Sequence, residues 1–498
     1  DLTEREQTSR RAAEAPGQLG VSPEGGAVYV TRGGRGGISV TKYAGWKDGK
    51  KVAEISFRGD GNGSYVMGLD AGAAKPVLWI GTDGGSLIRI EDQGGKFGDA
   101  VKVTSKDSYD GNLALDMSVD RFRPDPEVYC RGNGGWWIRY SEKTGEVEKV
   151  RAPGRNGGGG GGQIMAGPDG NIYALWYPHH MLKVDRNSKV LGFKDGGYPE
   201  QALSVKYGDK MYKPKPRKGG MWVPVNMTEI KHTLGIRADG HIFVLHPRGS
   251  GGRPPKALHE YTAEGKKLTT DPIIWKVSDG CIGPRFDAAG NIYVAEIVNP
   301  GGQPYPEEFV KIFGEVKPKE RPRGVKNEIA NMYGSIVKFT PKGGMFHLEG
   351  QDPFKGEPKL DGLKAIDAGA YYSTMQRPTR ITGAEWLAFG YSHVEIKACI
   401  CETTRFDVDE FGRVFYPDLC LYQVRVVDTA GNPILNFGGY GNAESAGPKS
   451  AIPEPQIAFA WLNGVGVTDR YVYTGDGINR RVLRLKQVYA AEEKCDIR

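Results

Sequence analysis

Hydrophobic and polar positions alternate in short runs along the chain: AVYVT, VLWIG, EVYCR, NIYALW, HIFVL, NIYVAE, RVFYPD and YVYTG. Each run is bounded by Gly, Asn, Asp or Pro. Period-two alternation between such turn residues predicts antiparallel strands joined by tight turns. The runs belong to a longer repeat. GPDGNIYALWYPHHMLKVDRNSKVLGF, RADGHIFVLHPRG, FDAAGNIYVAEIVN and DEFGRVFYPDLCLYQVRVVDTAGNPILNF share one grammar. A short strand leads through a Gly-centred turn to an alternating strand, and two further strands follow. Fainter copies start the chain and GVGVTDRYVYTGDGINRRVLRLK ends the series.

Eight units begin near residues 17, 64, 112, 161, 231, 280, 398 and 457. A four-stranded meander repeated this often predicts an all-β fold, a β-propeller of four-stranded antiparallel blades. One blade cannot bury both faces, and radial stacking does. Eight blades are expected, or seven if the first and last units combine. The expected layout is a polar N-terminal helix or extension over 1–16, with Thr3 and Glu6 in capping-box spacing, then one propeller over 17–498.

Composition narrows this picture. There are 73 glycines in 498 residues, about twice average usage, but no strict three-residue period, which excludes collagen. The longest apolar run, IAFAWLNGVGV, falls well short of the roughly 20 residues of a membrane-spanning helix. The net charge is +7 with a pI near 8.8. Apart from KPKPRK and KPKERPR no basic block occurs, which argues against nucleic acid as a partner and leaves room for anionic ligands. The six cysteines include no CxxC pair. A bridge from Cys420 to Cys399 or Cys401 is the expected disulfide. The chain opens DLTEREQTSRRAAEA, which reads as a processed terminus and points to a secreted or periplasmic location.

The GNIYV turn-and-strand, preceded by Asp and followed by a strand ending in Asp, resembles the NHL-repeat family of propellers. That resemblance implies the fold and leaves function open, since such propellers serve as binding modules, lyases and hydrolases. In a meander, successive turns alternate between the two faces of the disc. The glycine run Gly157–Gly162 and the insertions 195–230, 297–333 and 350–397 then fall on one face, the expected binding face.

Candidate chemistry clusters there. Cys281-Ile-Gly-Pro-Arg285-Phe-Asp opens unit six and Cys401-Glu-Thr-Thr-Arg405-Phe-Asp opens unit seven, with Arg237 near the matching place in unit five. Residues four apart in a strand share a side. Arg237, Arg285 and Arg405 are therefore expected to line an arc of the central channel and hold a carboxylate, phosphate or sulfate. His232, Cys281 and Cys401 enter consecutive inner strands, and imidazole with thiolate would suit zinc or copper. In the peptidylglycine lyase branch of these propellers axial histidines hold a metal; here Cys281 and Cys401 stand at two such places. His179, His246, Trp176 and Tyr177 map to the same face as ligand-binding residues. Asp169, Asp287 and Asp409 lie in first-to-second-strand turns on the opposite face, where turn hydrogen bonding is expected.

Two functions follow. The first is a binding platform whose elaborated face holds a protein, glycan or anionic ligand, alone or within a larger assembly. The second is a lyase or hydrolase on an anionic, carbohydrate-like substrate, metal-assisted or not. No complete catalytic set is visible, which favours the first.

Overall fold

The units fold as antiparallel strands because each turn places a glycine where a side chain would be strained. Gly170, Gly240, Gly290 and Gly412 occupy the first turn of four consecutive units with φ between 74° and 85°, a region costly for any residue with a Cβ. The computed structural model describes residues 16–488 except 22–26, 35–36, 45–48, 59–64, 71–74, 83–86, 104–115, 132–135, 152–163, 177–179, 188, 196–204, 208–209, 213–219, 223–233, 248–255, 269–270, 279–280, 314–332, 349–359, 370–377, 393–403, 442–454 and 477–480. The expected N-terminal helix and the glycine run lie outside these residues. Pro16, at the edge of that expected extension, begins a strand.

Eight groups of antiparallel strands, called sheets one to eight below, follow the order of the repeats, the sixth and seventh being joined by a parallel bridge from Ser392 to Asp418. The first holds Pro16–Val21, Val28–Gly34, Gly37–Tyr43 and Lys51–Phe57; the second holds Tyr65–Asp70, Val77–Thr82, Leu87–Glu91 and Val101–Val103. The third is Asp116–Asp120, Glu127–Arg131, Trp136–Ser141 and Val147–Arg151. The fourth is Ile164–Ala166, Ile172–Trp176, His180–Val184 and Gly220–Trp222. The fifth begins Leu234–Ile236, Ile242–Pro247, Lys256–Tyr261 and Ile274–Val277. The sixth is Ile282–Phe286, Ile292–Glu296, Tyr333–Phe339 and Ala384–Ser392. The seventh is Asp407–Val408, Val414–Asp418, Gln423–Val427 and Pro433–Phe437, and the eighth is Leu462–Val467, Tyr471–Asp476 and Arg481–Lys486.

The described residues fall into two compact units. Asp1–Leu113 with Gly132–Trp136 form one, and Ala114–Arg131 with Trp137–Arg498 the other. In the first unit the two sheets bury Tyr29, Ile38, Val40, Leu78, Ile80 and Ile90 between them. The Tyr29 hydroxyl donates to the buried Asp92 carboxylate, which also pairs with Lys42 at 2.6 Å.

In the second unit the first strands of six sheets lie side by side and the series returns on itself. Ala166 N donates to Ser118 Oγ at 3.0 Å, joining the third and fourth sheets. Tyr173 and Met181 of the fourth share a core with Leu234 and Ile236 of the fifth. Arg285 Nη1 reaches Leu234 O at 3.4 Å, and Tyr391 of the sixth sheet meets Phe406 edge-on at the seventh. Val465 N donates to Arg405 O at 2.9 Å, joining the seventh and eighth. The eighth then meets the third: Thr468 Oγ1 and Tyr473 OH donate to Glu142 Oε1 at 2.9 and 2.7 Å. A Cβ on Gly466 would come within 2.6 Å of Val119 Cγ2, so that closure needs the glycine.

The segment 350–397 is more than a loop. Ala365–Gly369 and Pro378–Thr382, with Gly344–Leu348 before them, extend the fifth sheet through a parallel pairing of Ile274–Val277 with Gly344–Leu348. Ala384–Ser392 supplies the fourth strand of the sixth sheet. Apolar alternation such as GMFHL and AEWLAFGYS makes these residues strands. The insertion within 297–333 does fall between the second and third strands of the sixth sheet, and its short helix Glu307–Phe313 buries Phe309 against Tyr305 and Tyr333. No helix among the described residues is long and apolar enough to cross a membrane.

Candidate functional site

Tyrosine–carboxylate pairs fasten the turns that surround the axis of the second unit. Asp287 Oδ1 accepts from Ala289 N and Asn291 N at 3.0 and 2.9 Å, while Oδ2 accepts from Asn291 Nδ2 and Tyr293 OH at 2.8 Å each. Asp169 does the same with Asn171 and Tyr173 and adds Lys183 at 2.6 Å. Burial works to raise the Asp169 pKa, but Lys183, Asn171 and Tyr173 outweigh it and hold the carboxyl below its ordinary value. Asp409 accepts from Phe411 N and Arg413 N and pairs with the Arg413 guanidinium. These three aspartates are turn anchors, as their positions imply.

The same turns set the register of the inner strands. Asp287, Asp409 and Arg237 stand at one place: the backbone N–H of each donates to the carbonyl four residues on, at Asn291, Arg413 and His241. Arg237 is therefore a turn residue, equivalent to Asp287 and not to Arg285. Its guanidinium binds Asp239 Oδ2 at 2.7 Å and Glu260 Oε1 at 2.9 Å and lies over the Phe243 ring. One level up the strand, the residue equivalent to Arg285 is Gly235 in the fifth sheet and Asp407 in the seventh.

That level faces a cavity of about 570 Å³. Val119, Met165, Arg285 and Asp407 line it, with Ile236, Phe286 and Phe122 beside them and Phe411 exposed. Arg121, the residue after the inner strand of the third sheet, reaches across to Asp407 Oδ1. Arg285 Nε stands 3.8 Å from the same oxygen, and its Nη1 donates to Pro284 O at 3.0 Å. Asp407 Oδ2 accepts Val467 N at 3.0 Å, and Oδ1 accepts Val408 N at 3.0 Å. Two guanidinium groups from the third and sixth sheets thus converge on one carboxylate of the seventh. Arg121 and Asp407 were not singled out in the sequence.

Arg405 precedes Asp407 by two residues and is buried; its backbone carbonyl serves the eighth sheet. Its positive charge and that of Arg285 both act on Tyr391, whose hydroxyl donates to Thr404 O at 2.6 Å. Burial dominates there and drives the Tyr391 pKa up. Cys281 is buried in the large core shared by the fifth and sixth sheets. Cys130 is buried as well, and Cys420 is a thiol whose backbone N–H donates to the Ser392 hydroxyl. His232, His179, Tyr177, Cys399 and Cys401 lie outside the described residues, as do the side chains of Trp176 and His246. Among the described residues no group of three His, Cys, Asp or Glu side chains is placed to hold a metal.

No family model matches the chain. No curated protein matches it either. Among solved structures, a gluconolactonase from Xanthomonas campestris is similar over 78% of this chain and 87% of its own, with 8% identity and a TM-score of 0.32. The β-propeller domain of Cps50 (Swd1) from Myceliophteria thermophila is similar over 83% of this chain and 94% of its own, with 11% identity and a TM-score of 0.35. At these values the likeness assigns neither family nor activity.

Proposed function

We propose that the second unit is a six-bladed β-propeller and a binding platform, with an anionic ligand held in its axial cavity between Arg121 and Arg285. The observation that carries this reading is the charge arrangement at Asp407. Two guanidinium groups face a single carboxylate at the cavity wall. A planar guanidinium pair at a cavity wall suits the planar fork of a carboxylate or the oxygens of a phosphate, and partial burial strengthens the contact. The cavity lies on the face of the first-to-second-strand turns. The insertion-bearing face, an exported location and a protein or glycan partner there remain part of the proposal. A lyase or hydrolase would use the same arginines to neutralise its substrate, and the histidines considered for proton transfer lie outside the described side chains.

Titration calorimetry with benzoate, sulfate and phosphate tests the reading. At least one should saturate at a single site. Arg121→Gln and Arg285→Gln should each weaken it about tenfold or more, since a charged hydrogen bond contributes roughly 1.5–3 kcal/mol. Arg237→Gln should change nothing, because its guanidinium is held by Asp239 and Glu260. Undiminished binding by a folded Arg121→Gln protein would refute the site.

A further inference from the structure

Each of the first seven sheets has four described strands or more, whereas the eighth has three, Leu462–Val467, Tyr471–Asp476 and Arg481–Lys486. Among the described residues no strand pairs with the outer edge of 482–486. An open edge of this kind is a template for a further strand. We propose that it takes one from a partner protein: an extended segment in which apolar and acidic residues alternate, completing the eighth sheet.

Register decides which side of that strand is apolar. Cross-strand partners in an antiparallel pair share a face. Leu483 and Leu485 pair with Thr474 and Val472 and pack against the core shared by the seventh and eighth sheets. On the seventh sheet, Leu435 and Phe437 pair with Val426 and Val424 of that same core. Leu435 is nevertheless 49% exposed, because it belongs to a fourth strand and the eighth sheet facing it has only three. A strand added beside Arg481–Lys486 would bring every second side chain toward Leu435, where an apolar group gains by leaving water.

The opposite side is basic. Val482, Arg484 and Lys486 alternate with the leucines and are exposed. Arg484 stacks on the Tyr471 ring, 4.6 Å from its centroid, and on Tyr140 of the third sheet at 5.5 Å, and it donates to the Tyr140 hydroxyl. These contacts fix the guanidinium without neutralising it. Glu142, the buried carboxylate on this side, is already shared by Thr468, Tyr473 and Arg470. Among the described residues neither Arg484 nor Lys486 pairs with a carboxylate. Acidic side chains on the incoming strand, across from Arg484 and Lys486, would supply that charge. The same cations turn away a second copy of the chain, since self-pairing of this edge would bring Arg481, Arg484 and Lys486 of two copies together. In such an addition the main-chain hydrogen bonds give affinity and the alternating side chains give specificity.

The full chain should be titrated by calorimetry with the blocked octapeptide GVEVEVEG, its lysine counterpart GVKVKVKG, and GVEVEVEG N-methylated at its six central residues. The first should bind at a single site and the second at least tenfold more weakly. The third should not bind, because it lacks the donors for a ladder. Lys486→Glu and Leu435→Glu, both at exposed positions, should each weaken GVEVEVEG at least threefold and together about tenfold or more. Lys51→Glu, on the outer strand of the first sheet, should leave it unchanged. Equal binding of the lysine peptide, retained binding of the N-methylated one, or equal losses from Lys51→Glu and Lys486→Glu would overturn the proposal. So would failure of GVEVEVEG to bind. Binding that appears only with Glu492→Lys and Glu493→Lys would make residues 489–498 the occupant instead, and a sedimenting dimer that Leu435→Glu dissociates would make it a second copy; either result refutes a partner strand.

Discussion

Asp120 is the place where this fold is at odds with itself, and replacing it should stabilise the protein at neutral pH. It ends the inner strand of the third sheet opposite Glu127. The ladder positions equivalent to it in the other five sheets of the second unit are Ala166, Ile236, Phe286, Val408 and Val467, all apolar. Only 1% of Asp120 is exposed. Burial is the main cause that raises its pKa from 3.8 to about 6; Arg123 at 3.1 Å opposes the rise and the neighbouring Glu127 adds to it. Because the folded pKa lies above the unfolded one, the native state binds more protons between pH 4 and 6. The stability associated with the neutral carboxyl is present below about pH 4 and lost as pH rises through 6. A displacement of about two pH units corresponds to about 3 kcal/mol at pH 7 and above. Asp120→Asn keeps the shape and removes the charge. It should gain about 1–3 kcal/mol over the native protein at pH 7.5, the lower end allowing for the lost attraction to Arg123. The gain should shrink to near zero at pH 4. Thermal denaturation of both proteins from pH 4 to 8, followed by tryptophan fluorescence, measures that difference as a function of pH. A difference independent of pH, or a variant less stable at pH 7.5, would show that Asp120 is well solvated or well paired and that the reasoning fails.

Two further substitutions probe the architecture. Gly343→Ala should abolish folding or lower the melting temperature by well over 10 °C, since φ is +71° and the new Cβ would lie 1.9 Å from Ile273 O, at the junction that extends the fifth sheet. Gly362→Ala, at φ +80° with open space around it, should cost only about 1–2 kcal/mol; equal effects in thermal melts would mean the junction is not formed. Glu142→Ala leaves the Thr468 and Tyr473 hydroxyls and the Arg470 guanidinium without their shared acceptor and should cost about 2–4 kcal/mol in urea denaturation. A cost below 1 kcal/mol would mean the eighth sheet does not close on the third.

Most of the strand architecture was legible because it is written in local signals. Alternation such as NIYVAE fixes the strand Ile292–Glu296, and the glycine three residues after Asp287 fixes the turn. What local pattern does not carry is the number of sheets that close one ring. Closure depends on how near the inner strands approach, and here that distance is set by Gly235 and Gly466, whose Cβ atoms would strike Pro284 and Val119. Neither glycine has a turn to announce it. The strands Ala365–Gly369 and Pro378–Thr382 were hidden for a related reason. They pair with the fifth sheet although the chain has already passed into the sixth, a non-sequential pairing that a meander grammar does not contain.

The candidate site was half visible, and the missing half follows from a register of two. Matching the heptapeptides CIGPRFD and CETTRFD sets Arg405 level with Arg285 and stacks like charges in one arc. Counting back from the turn glycines, Gly290 and Gly412, sets Asp407 level with Arg285 instead. A shift of two residues keeps every side chain on its own side of the strand, so both alignments predict axial side chains and the period-two pattern alone cannot choose. Electrostatics can. Three buried guanidinium groups at one level would need several anions to offset their desolvation, whereas the second register gives Arg285 a carboxylate from the neighbouring sheet, which Arg121 shares. Arg121 itself escaped notice because MSVDRFRPDPEVYC lacks the turn glycine that marks the fourth to seventh units. In a repeat protein the turn residue, which backbone geometry constrains, is thus a safer ruler for side-chain levels than a matching string of side chains.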